Sequence, residues 1–585
     1  MALSKLIWVP GSLATILFIV PPAAATTLPA LLSTGNVEKQ VDQFAQQPSP
    51  DERFPQSLPD IDSLDNSSNE PILPETERLP SEESQDSEIT FRIQKIEVLG
   101  STVIETADLD RVIQSGIGNS VSLKDLQAVT QQITRLYQDR GYLTSQAVLL
   151  EQSIENGIVQ IQVVEGVIED VVIEGIKHLH PSYIRSRLTL GIGTPLNYFA
   201  LEDQLRLLRF DPLLKNIQAT LEAGSGVGQS ILRVTVDEAN QLYGEFSINN
   251  DLPPSVGGEG IEAELGYRNI TGIGDSLELD YGRSFSGGAE LWDVTYRLPV
   301  SPRNGAIQLR GSWGDTRLTQ SPFDQLDLEG ENEFYQISWR EPIVRNSREE
   351  FALSLAFDYR DGQTFILGQP NPIGIGADDN GVSRTSVFRF GQDYLKRDSQ
   401  GIWSLRSQFS LGTEIFDATQ NGDNIPDGQF LSWLGQIQRL QRLNNDHLLV
   451  IRGDLQLAFD SLLTSEQFVI GGRESLRGYR QNVRTGDNGF RLSVEDRITL
   501  ERNQKGKSTL QLIPFADIGV VWNNNDNPNP QASQRFLAGI GTGLLWEPVD
   551  GLNLRLDYGL PLIDLDDRGD NIQDDGFYFS ASYRF

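Results

Sequence analysis

Side chains that could attack a substrate or bind a transition metal are scarce in this sequence. Cysteine is absent, and the three histidines are His178, His180 and His447. The lack of cysteine excludes disulfides, thiolate nucleophiles and Cys-ligated zinc or iron–sulfur clusters. His178 and His180 have no H-E-x-x-H context, and we interpret them as surface residues. The sequence also has no G-x-S-x-G, P-loop or dinucleotide motif, so it predicts a protein that is not an enzyme and that holds no cofactor or metal.

Oxygen-bearing side chains are the remaining candidates for binding an ion. Residues 421–428 (NGDNIPDG) and residues 564–576 are acidic segments that could bind Ca²⁺ through oxygen ligands. Solvated surface loops have the same composition, and we favour that interpretation.

The overall charge and composition restrict the class of partner. Among 585 residues, 48 are Lys or Arg and 81 are Asp or Glu, which gives a formal net charge of −33. Nucleic-acid binding needs a basic face, so a nucleic-acid partner is not expected. Hydrophobic residues make up only 38% of the chain, which is low for a large packed globule. A protein with a polar interior and a lipid-facing exterior would have this composition.

The N-terminal region has the pattern of an exported protein. Lys5 precedes an apolar run over residues 6–20, and Ala23–Ala25 provide a small-residue cleavage site. We therefore predict a signal peptide over residues 1–25; the alternative, an uncleaved membrane anchor, would have a short span interrupted by Pro10 and Gly11. Residues 26–90 are acidic and rich in Pro and Ser, and they predict a linker with a possible short helix near residues 36–48.

Two consecutive regions share one order of secondary-structure elements. Residues 91–166 predict a β-α-α-β-β unit, in which Ser122 caps a long amphipathic helix. Residues 167–239 repeat that order, which indicates an array of small domains. The plan resembles the POTRA domain of outer-membrane assembly and secretion proteins. Two interpretations stay open: an arm that receives an unfolded protein by strand addition, or two structural spacers.

Residues 240–585 change to a period of two. In residues 449–459, apolar side chains alternate with Arg452, Asp454 and Gln456, and the chain ends in the strand-like segment 577–585 with the terminal aromatic Phe585. Segments of about ten residues with apolar-out, polar-in alternation are typical of an outer-membrane β-barrel. At about 22 residues per strand and loop, the region holds about 16 strands, enough for an aqueous lumen. The alternative is a soluble β-sandwich, which shows the same alternation in each strand.

Two motifs within this region carry a resemblance to a known family. Residues 466–480 read EQFVIGGRESLRGYR, and residues 515–519 read FADIG. They resemble the F-x-I-G-G-x-x-S-[VL]-R-G-[YF] and F-x-D-x-G stretches of the outer-membrane transporters of two-partner (type V) secretion, TpsB proteins of the haemolysin-activator ShlB/FhaC type, which are related to the BamA superfamily. The first motif matches Gly471, Gly472, Leu476, Arg477, Gly478 and Tyr479, and the second matches Phe515, Asp517 and Gly519.

The resemblance implies a specific contact inside the barrel. In the family, the first motif lies on the sixth extracellular loop, which folds back into the lumen, and its arginine pairs with the aspartate of the second motif. The implied salt bridge is Arg477–Asp517, and an arginine fork on a carboxylate would give a directional anchor. Gly478 would permit the tight bend, Tyr479 would pack on the wall and still form hydrogen bonds, and Gly519 would leave room beside the carboxylate. The family's plug helix has only a weak counterpart near residues 36–48.

The resemblance implies a protein-translocating pore in the outer membrane of a Gram-negative-type cell. Two POTRA domains in the periplasm would capture an unfolded exported partner, an adhesin- or haemolysin-like β-helical protein, and the barrel would secrete it without ATP. We expect outer-membrane lipid around a monomeric barrel, with Phe585 as the signal read by the barrel-assembly machinery. A BamA-like insertase and a protein with only solute-porin activity are the alternatives.

Overall fold

The computed structural model describes residues 90–118, 120–154, 156–321, 323–422 and 424–585. The predicted signal peptide and the predicted linker with its short helix lie outside the described residues, except for Thr90 at the linker's end. The described chain forms two small α+β units followed by a closed barrel. The predicted borders at 166/167 and 239/240 stay predictions.

The first unit has the predicted β-α-α-β-β order with two further short strands. Its elements are β1 (Thr90–Arg92), β2 (Lys95–Leu99), α1 (Thr106–Ile113), β3 (Ser120–Ser122), α2 (Leu123–Asp139), β4 (Gln146–Leu149) and β5 (Ile158–Val164). The sheet order is β2-β5-β4, with β2 parallel to β5, while β1 pairs with β3. A capping box starts α2, because the Ser122 side chain accepts from the Asp125 amide and the Asp125 carboxylate accepts from the Ser122 amide. The buried face of α2 includes Leu126, Ile133 and Tyr137.

The second unit repeats this plan and lies directly against the first. Its elements are β6 (Val167–Glu174), α3 (Pro181–Thr189), α4 (Tyr198–Arg209), β7 (Leu214–Ala223) and β8 (Gln229–Glu238), in the sheet order β6-β8-β7. The Leu196 amide donates to the Gly166 carbonyl, and the Tyr198 amide donates to the Gly141 carbonyl. These backbone bonds join the start of α4 to the first unit. Among the described residues, no α-helix combines the length and the apolar character needed to cross a membrane.

Sixteen antiparallel strands close into a barrel, as the sequence predicted. They are β9 (Leu242–Asn249), β10 (Gly260–Arg268), β11 (Ser276–Ser284), β12 (Ala289–Pro299), β13 (Ala306–Arg317), β14 (Leu328–Arg345), β15 (Glu349–Ile366), β17 (Val382–Asp398), β18 (Gly401–Thr413), β19 (Leu431–Arg442), β20 (His447–Ala458), β23 (Asn488–Arg502), β24 (Ser508–Trp522), β25 (Phe536–Val549), β26 (Leu552–Pro561) and β27 (Phe577–Arg584). The short strand β16 (Gln369–Pro370) pairs with β15, and β21 (Phe468–Ile470) pairs with β22 (Arg484–Gly486) outside the barrel sheet. Closure occurs between the last strand, β27, and the first, β9.

The two faces of each barrel strand differ as the alternation predicted. On β18, Phe409 and Leu411 are exposed on the outside, whereas Gln408 and Ser410 are buried on the inside. Large apolar side chains such as Trp339 and Leu355 also lie exposed on the exterior. A soluble sandwich, the alternative fold, would bury these apolar faces. An apolar exterior around a polar interior is instead the arrangement of a barrel surrounded by lipid.

The second unit contacts one end of the barrel, where the strands are joined by short turns. The His180 amide donates to the Gly272 carbonyl at 2.7 Å, and the Ser347 amide donates to Asp203 at 2.9 Å. These contacts place α3 and α4 beneath the turns at residues 269–275 and 346–348. The longer loops lie at the opposite end. The sixth of them, residues 459–487, is called the sixth loop below.

Candidate functional site in the barrel lumen

The sixth loop turns back into the barrel instead of projecting away from it. Its β21–β22 hairpin contacts β23 and β24 of the wall, and the six predicted loop residues lie at or beside the tip that this hairpin presents. Leu476, Arg477 and Tyr479 are buried. Phe468, Ile470, Leu476, Tyr479 and Val483 form a buried apolar cluster with wall residues Val521 and Leu537. Apolar packing therefore holds the loop against the wall, and the arginine lies within that packed region.

Arg477 forms hydrogen bonds to carboxylates of the barrel wall through both its guanidinium and its backbone amide. Its Nε donates to Asp517 Oδ2 at 2.7 Å, and its Nη2 donates to Asp517 Oδ1 at 2.8 Å, so the predicted pair forms a two-bonded fork. Its Nη1 donates to Glu495 Oε2 at 3.1 Å, and its backbone amide donates to Asp517 as well. The side chains of Arg477 and Asp517 are 4% and 0% exposed. A charge-assisted fork in such a dry environment is strong and strictly oriented.

Two neighbouring wall side chains complete the surroundings of the guanidinium. The Arg477 Cζ atom lies 3.5 Å from the centre of the Phe515 ring, which gives a cation–π contact. Ser493 accepts a further hydrogen bond at 3.1 Å. Asp517 and Phe515 are both on β24 and face inward two residues apart, as strand geometry requires. The second motif therefore supplies both an anion and an aromatic face to the same cation.

Gly478 and Tyr479, which follow Arg477, fix the loop to the barrel through hydrogen bonds that involve backbone groups of the loop and of the barrel. Gly478 has φ +100°, a conformation that favours glycine, and its amide donates to the Tyr578 hydroxyl at 2.9 Å. That hydroxyl in turn donates to the Tyr479 carbonyl at 2.7 Å. The Tyr479 hydroxyl lies 2.8 Å from the Ala538 carbonyl and 3.1 Å from the Ile563 amide. Tyr479 thus packs on the wall and forms hydrogen bonds through its hydroxyl.

Glycines on the wall allow the loop backbone to approach closely. A Cβ atom at Gly539 would overlap the Arg477 carbonyl oxygen, and a Cβ at Gly559 would lie 2.5 Å from the Gly478 nitrogen. Gly519 differs from the expectation that it leaves room beside the carboxylate. A Cβ there would lie 2.9 Å from Leu476 Cδ1, so the space at Gly519 accommodates the apolar side chains of the loop.

Three more arginines of the sixth loop form ion pairs that the sequence reasoning missed. Arg473 pairs with Asp251, Arg480 with Asp574, and Arg484 with Asp567. The available signal was the recurrence of arginine every three or four residues from position 473 to position 484. Glu495 and Tyr578 were also missed, because neither lies in the two motifs.

The other candidate residues lie away from this cluster. His180 accepts from the Ser182 amide at the start of α3, His178 contacts Glu238, and His447 contacts Asp496. The acidic segment 564–576, interpreted as a solvated loop, instead supplies carboxylates to the arginines of the sixth loop. Within the described ranges, no group of three or more His, Asp or Glu side chains is arranged to hold a metal ion.

Phe585, the predicted assembly signal, ends the chain at the short-turn side of the barrel. Its amide donates to the Gly244 carbonyl at 3.0 Å, and the Gly244 amide donates to its carbonyl at 3.3 Å. Its side chain is 60% exposed on the surface. The residue therefore extends the pairing of β27 with β9 and leaves its ring accessible.

Comparisons with known proteins agree with this architecture. Residues 228–545 match the family model of the haemolysin secretion/activation protein ShlB/FhaC/HecB, and residues 91–166 match the POTRA domain, ShlB-type. The outer membrane transporter CdiB of Escherichia coli is 25% identical over 530 residues, covering 86% of this chain and 83% of CdiB. The heme/hemopexin transporter protein HuxB of Haemophilus influenzae (strain 86-028NP) is 20% identical over 507 residues, covering 85% of this chain and 88% of HuxB.

Solved structures give the same result for the fold. The structure of CdiB from Escherichia coli superposes with a TM-score of 0.70 at 22% identity, covering 94% of this chain and 99% of that one. The family match covers more than half of the chain, and the barrel, the two preceding units and the inward-folded sixth loop accompany it. The chain therefore belongs to the ShlB/FhaC/HecB family of haemolysin secretion/activation proteins, outer-membrane β-barrel transporters of two-partner secretion with periplasmic POTRA domains.

Proposed function

We propose that this chain secretes one unfolded, exported partner protein through its barrel lumen, and that the sixth loop must leave its site for the partner to pass. The observation that carries the proposal is the buried Arg477–Asp517 fork, which holds a loop across a polar-lined lumen. A loop fixed only by packing would have no need for a desolvated ion pair. A noncovalent ion pair with a fixed geometry is compatible with a loop that docks in one orientation and can be displaced.

The partner is proposed to be a large adhesin- or haemolysin-like protein with a β-helical fold. The two POTRA units lie at the short-turn end, where they could receive an extended chain at a sheet edge. Secretion without ATP requires another source of free energy. Folding of the partner outside the cell would provide it, because a chain that folds after emerging cannot slide back.

Assembly of the transporter itself is proposed to follow the route of other barrels. The barrel-assembly machinery would read the C-terminal strand that ends at Phe585, whose side chain remains exposed on the barrel surface. The closed ring of sixteen strands leaves no open sheet edge, which is consistent with a monomer.

Deletion of the chain, followed by an inventory of the growth medium, tests the proposal. Loss of one large secreted protein supports translocation. Broad loss of other barrel proteins would support an insertase, and altered solute uptake alone would support a porin. We expect Arg477→Ala and Asp517→Ala to impair secretion while the barrel still assembles, because a loop that has lost its fixed orientation would obstruct the lumen instead of docking and being displaced in an ordered way. The matched control is Arg502→Ala, which removes an exposed pair with Asp446 far from the loop; normal secretion by both motif variants would contradict the proposal.

A further inference from the structure

The barrel closes through its shortest strand pairing. β27 and β9 share five residue pairs, from Ser580–Asn249 to Arg584–Glu245, and the two backbone hydrogen bonds between Phe585 and Gly244 extend this pairing at the short-turn end. The neighbouring pairings of β26 with β27 and of β9 with β10 contain seven and eight pairs. Because each ladder pair contributes hydrogen bonds, this junction, called the seam below, has the least backbone support of the barrel junctions.

At the end of the seam away from the POTRA units, one backbone hydrogen bond, from the Asn250 amide to the Phe579 carbonyl at 3.3 Å, is supplemented by side-chain hydrogen bonds. Asn250 Nδ2 donates to the Phe577 carbonyl at 2.9 Å, and Asn250 Oδ1 accepts from the Phe579 amide at 2.7 Å. Gln573 Nε2 donates to the carbonyls of Asn250 and Leu252. These bonds link the first loop (residues 250–259), which follows β9, to β27 and to the eighth loop (residues 562–576), which precedes it.

The sixth loop is fastened to both of these loops. Arg473 binds Asp251 of the first loop, with Nε at 2.9 Å from Oδ1. Arg484 binds Asp567 of the eighth loop through two bonds of 2.9 and 2.7 Å, and its side chain is 3% exposed. Arg480 contacts Asp574 at 3.3 Å in the same loop.

A further hydrogen bond, from a backbone amide of the sixth loop to a side chain of the eighth loop, links these two sets of ion pairs. The Gln481 amide donates to Gln573 Oε1 at 2.8 Å, while the same Gln573 side chain donates across the seam to the first loop. The sixth loop therefore reaches the first loop through Arg473 and the eighth loop through Arg480 and Arg484. In this way the sixth loop connects the two edges of the seam through side-chain contacts, in addition to the backbone hydrogen bonds of the ladder.

We propose that Arg473, Arg480 and Arg484 are positioning residues that make the sixth loop a strap across the outer end of the seam. The inference rests on the proposed function, in which the loop leaves its site. Removing the loop from the lumen would then release the first and eighth loops as well. The seam, which has the shortest ladder of the barrel junctions, could then part at this end and widen the exit for a passing chain.

Distance measurement on the full-length protein in lipid vesicles tests the strap without any partner protein. The chain lacks cysteine, so Glu259→Cys in the first loop and Ile572→Cys in the eighth can carry spin labels without background. We expect Arg473→Asp and Arg484→Gln each to lengthen or broaden the label-to-label distance by about 5 Å, roughly one strand spacing. Heat-modifiable mobility on a gel verifies that each variant is folded.

Reversal of the charges in one ion pair distinguishes specific loss of the strap from a general disturbance of the fold. The double variant Arg473→Asp with Asp251→Arg restores the ion pair in reverse and is expected to restore the original distance. Arg502→Ala is the matched control and should leave the distance unchanged. Unchanged distances in both Arg473→Asp and Arg484→Gln would overturn the strap, as would failure of the reversed pair to restore the distance. Secretion is not measured in this experiment, so a failed strap is distinguishable from a failed translocation model.

Discussion

Removal of the Arg477 guanidinium is the sharpest perturbation of the lumen site. Arg477→Ala would leave the carboxylates of Asp517 and Glu495 buried without their shared cation, and it would remove the contact with the Phe515 ring. Arg497 still contacts Glu495 at 2.8 Å, so Asp517 is the more severely affected carboxylate. The docked loop is therefore expected to lose stability relative to the undocked loop.

The magnitude follows from the burial of the pair. Breaking a buried ion pair by removing one partner costs about 3–5 kcal/mol, because the remaining charge is uncompensated. Every 1.4 kcal/mol is about tenfold in an equilibrium constant. The undocked fraction should therefore rise by about 150- to 4,000-fold in Arg477→Ala. Arg477→Lys keeps the charge but loses the fork, and about 1.5–3 kcal/mol for a lost charged hydrogen bond predicts a rise of about 10- to 150-fold.

Maleimide labelling of a single cysteine measures the undocked fraction. Val483→Cys places the thiol in the buried cluster of the sixth loop, where Val483 is 1% exposed. The thiol reacts only when the loop leaves its site, so the labelling rate is proportional to the undocked fraction. We expect the rate to increase in the order unmodified loop, Arg477→Lys, Arg477→Ala, until it reaches the rate of a free thiol.

Arg502→Ala is again the control, since its ion pair lies at the short-turn end and touches no part of the loop. Its labelling rate should equal that of the parent. A labelling rate in Arg477→Ala within about threefold of the parent rate, in a barrel shown to be folded by its heat-modifiable mobility, would contradict a role of the fork in holding the loop. Such a result would mean that apolar packing alone holds the loop, and that the buried fork contributes less than 1 kcal/mol.

Three further predictions concern the wall and the first POTRA unit. Gly539→Ala should undock the loop and accelerate Val483→Cys labelling, because the new Cβ overlaps the Arg477 carbonyl, whereas Gly282→Ala, with no neighbour closer than 3.8 Å, should not. Tyr578→Phe leaves the two loop backbone groups bound to its hydroxyl unpaired, at a cost of about 1–3 kcal/mol, and should accelerate labelling about 5- to 150-fold. Burial raises the pKa of Glu165, but hydrogen bonds from Thr102 and Tyr137 outweigh it and hold that pKa below its usual 4.5. The contribution of Glu165 to the stability of the first unit is therefore complete at neutral pH and is lost as the pH falls below about 4.5. Hydrogen exchange of residues 90–166, corrected for the intrinsic effect of pH, should show this loss of protection in the parent and not in Glu165→Gln.

The barrel was predictable because its signal is local. Each strand alternates two kinds of side chain, and the same alternation sets the inner and outer faces of residues such as Gln408 and Phe409 in the structure. Strand lengths were less predictable: β14 and β15 have 18 residues each, not about ten. Their polar ends continue the ladder beyond the apolar band, where hydropathy no longer distinguishes a strand from a loop.

The site was predictable only as far as the two motifs reach. Arg477 and Asp517 came from the family resemblance, and the structure places them in contact. The partners of Arg473 and Arg484 are 222 and 83 residues away in the chain. Such contacts depend on how the barrel closes and on the path of the loop, neither of which leaves a periodic pattern in the sequence.

The proposed function requires a polypeptide to pass through the lumen of this barrel. Photo-crosslinking during secretion tests it most directly, with a crosslinking residue placed at Gln408 or Gln436, which face inward, or at the lipid-facing controls Leu405 and Ile437. We expect the secreted partner to be captured at the two inward positions and at neither control. Capture at the lipid-facing positions alone, or normal secretion with no capture at either inward position, would contradict it.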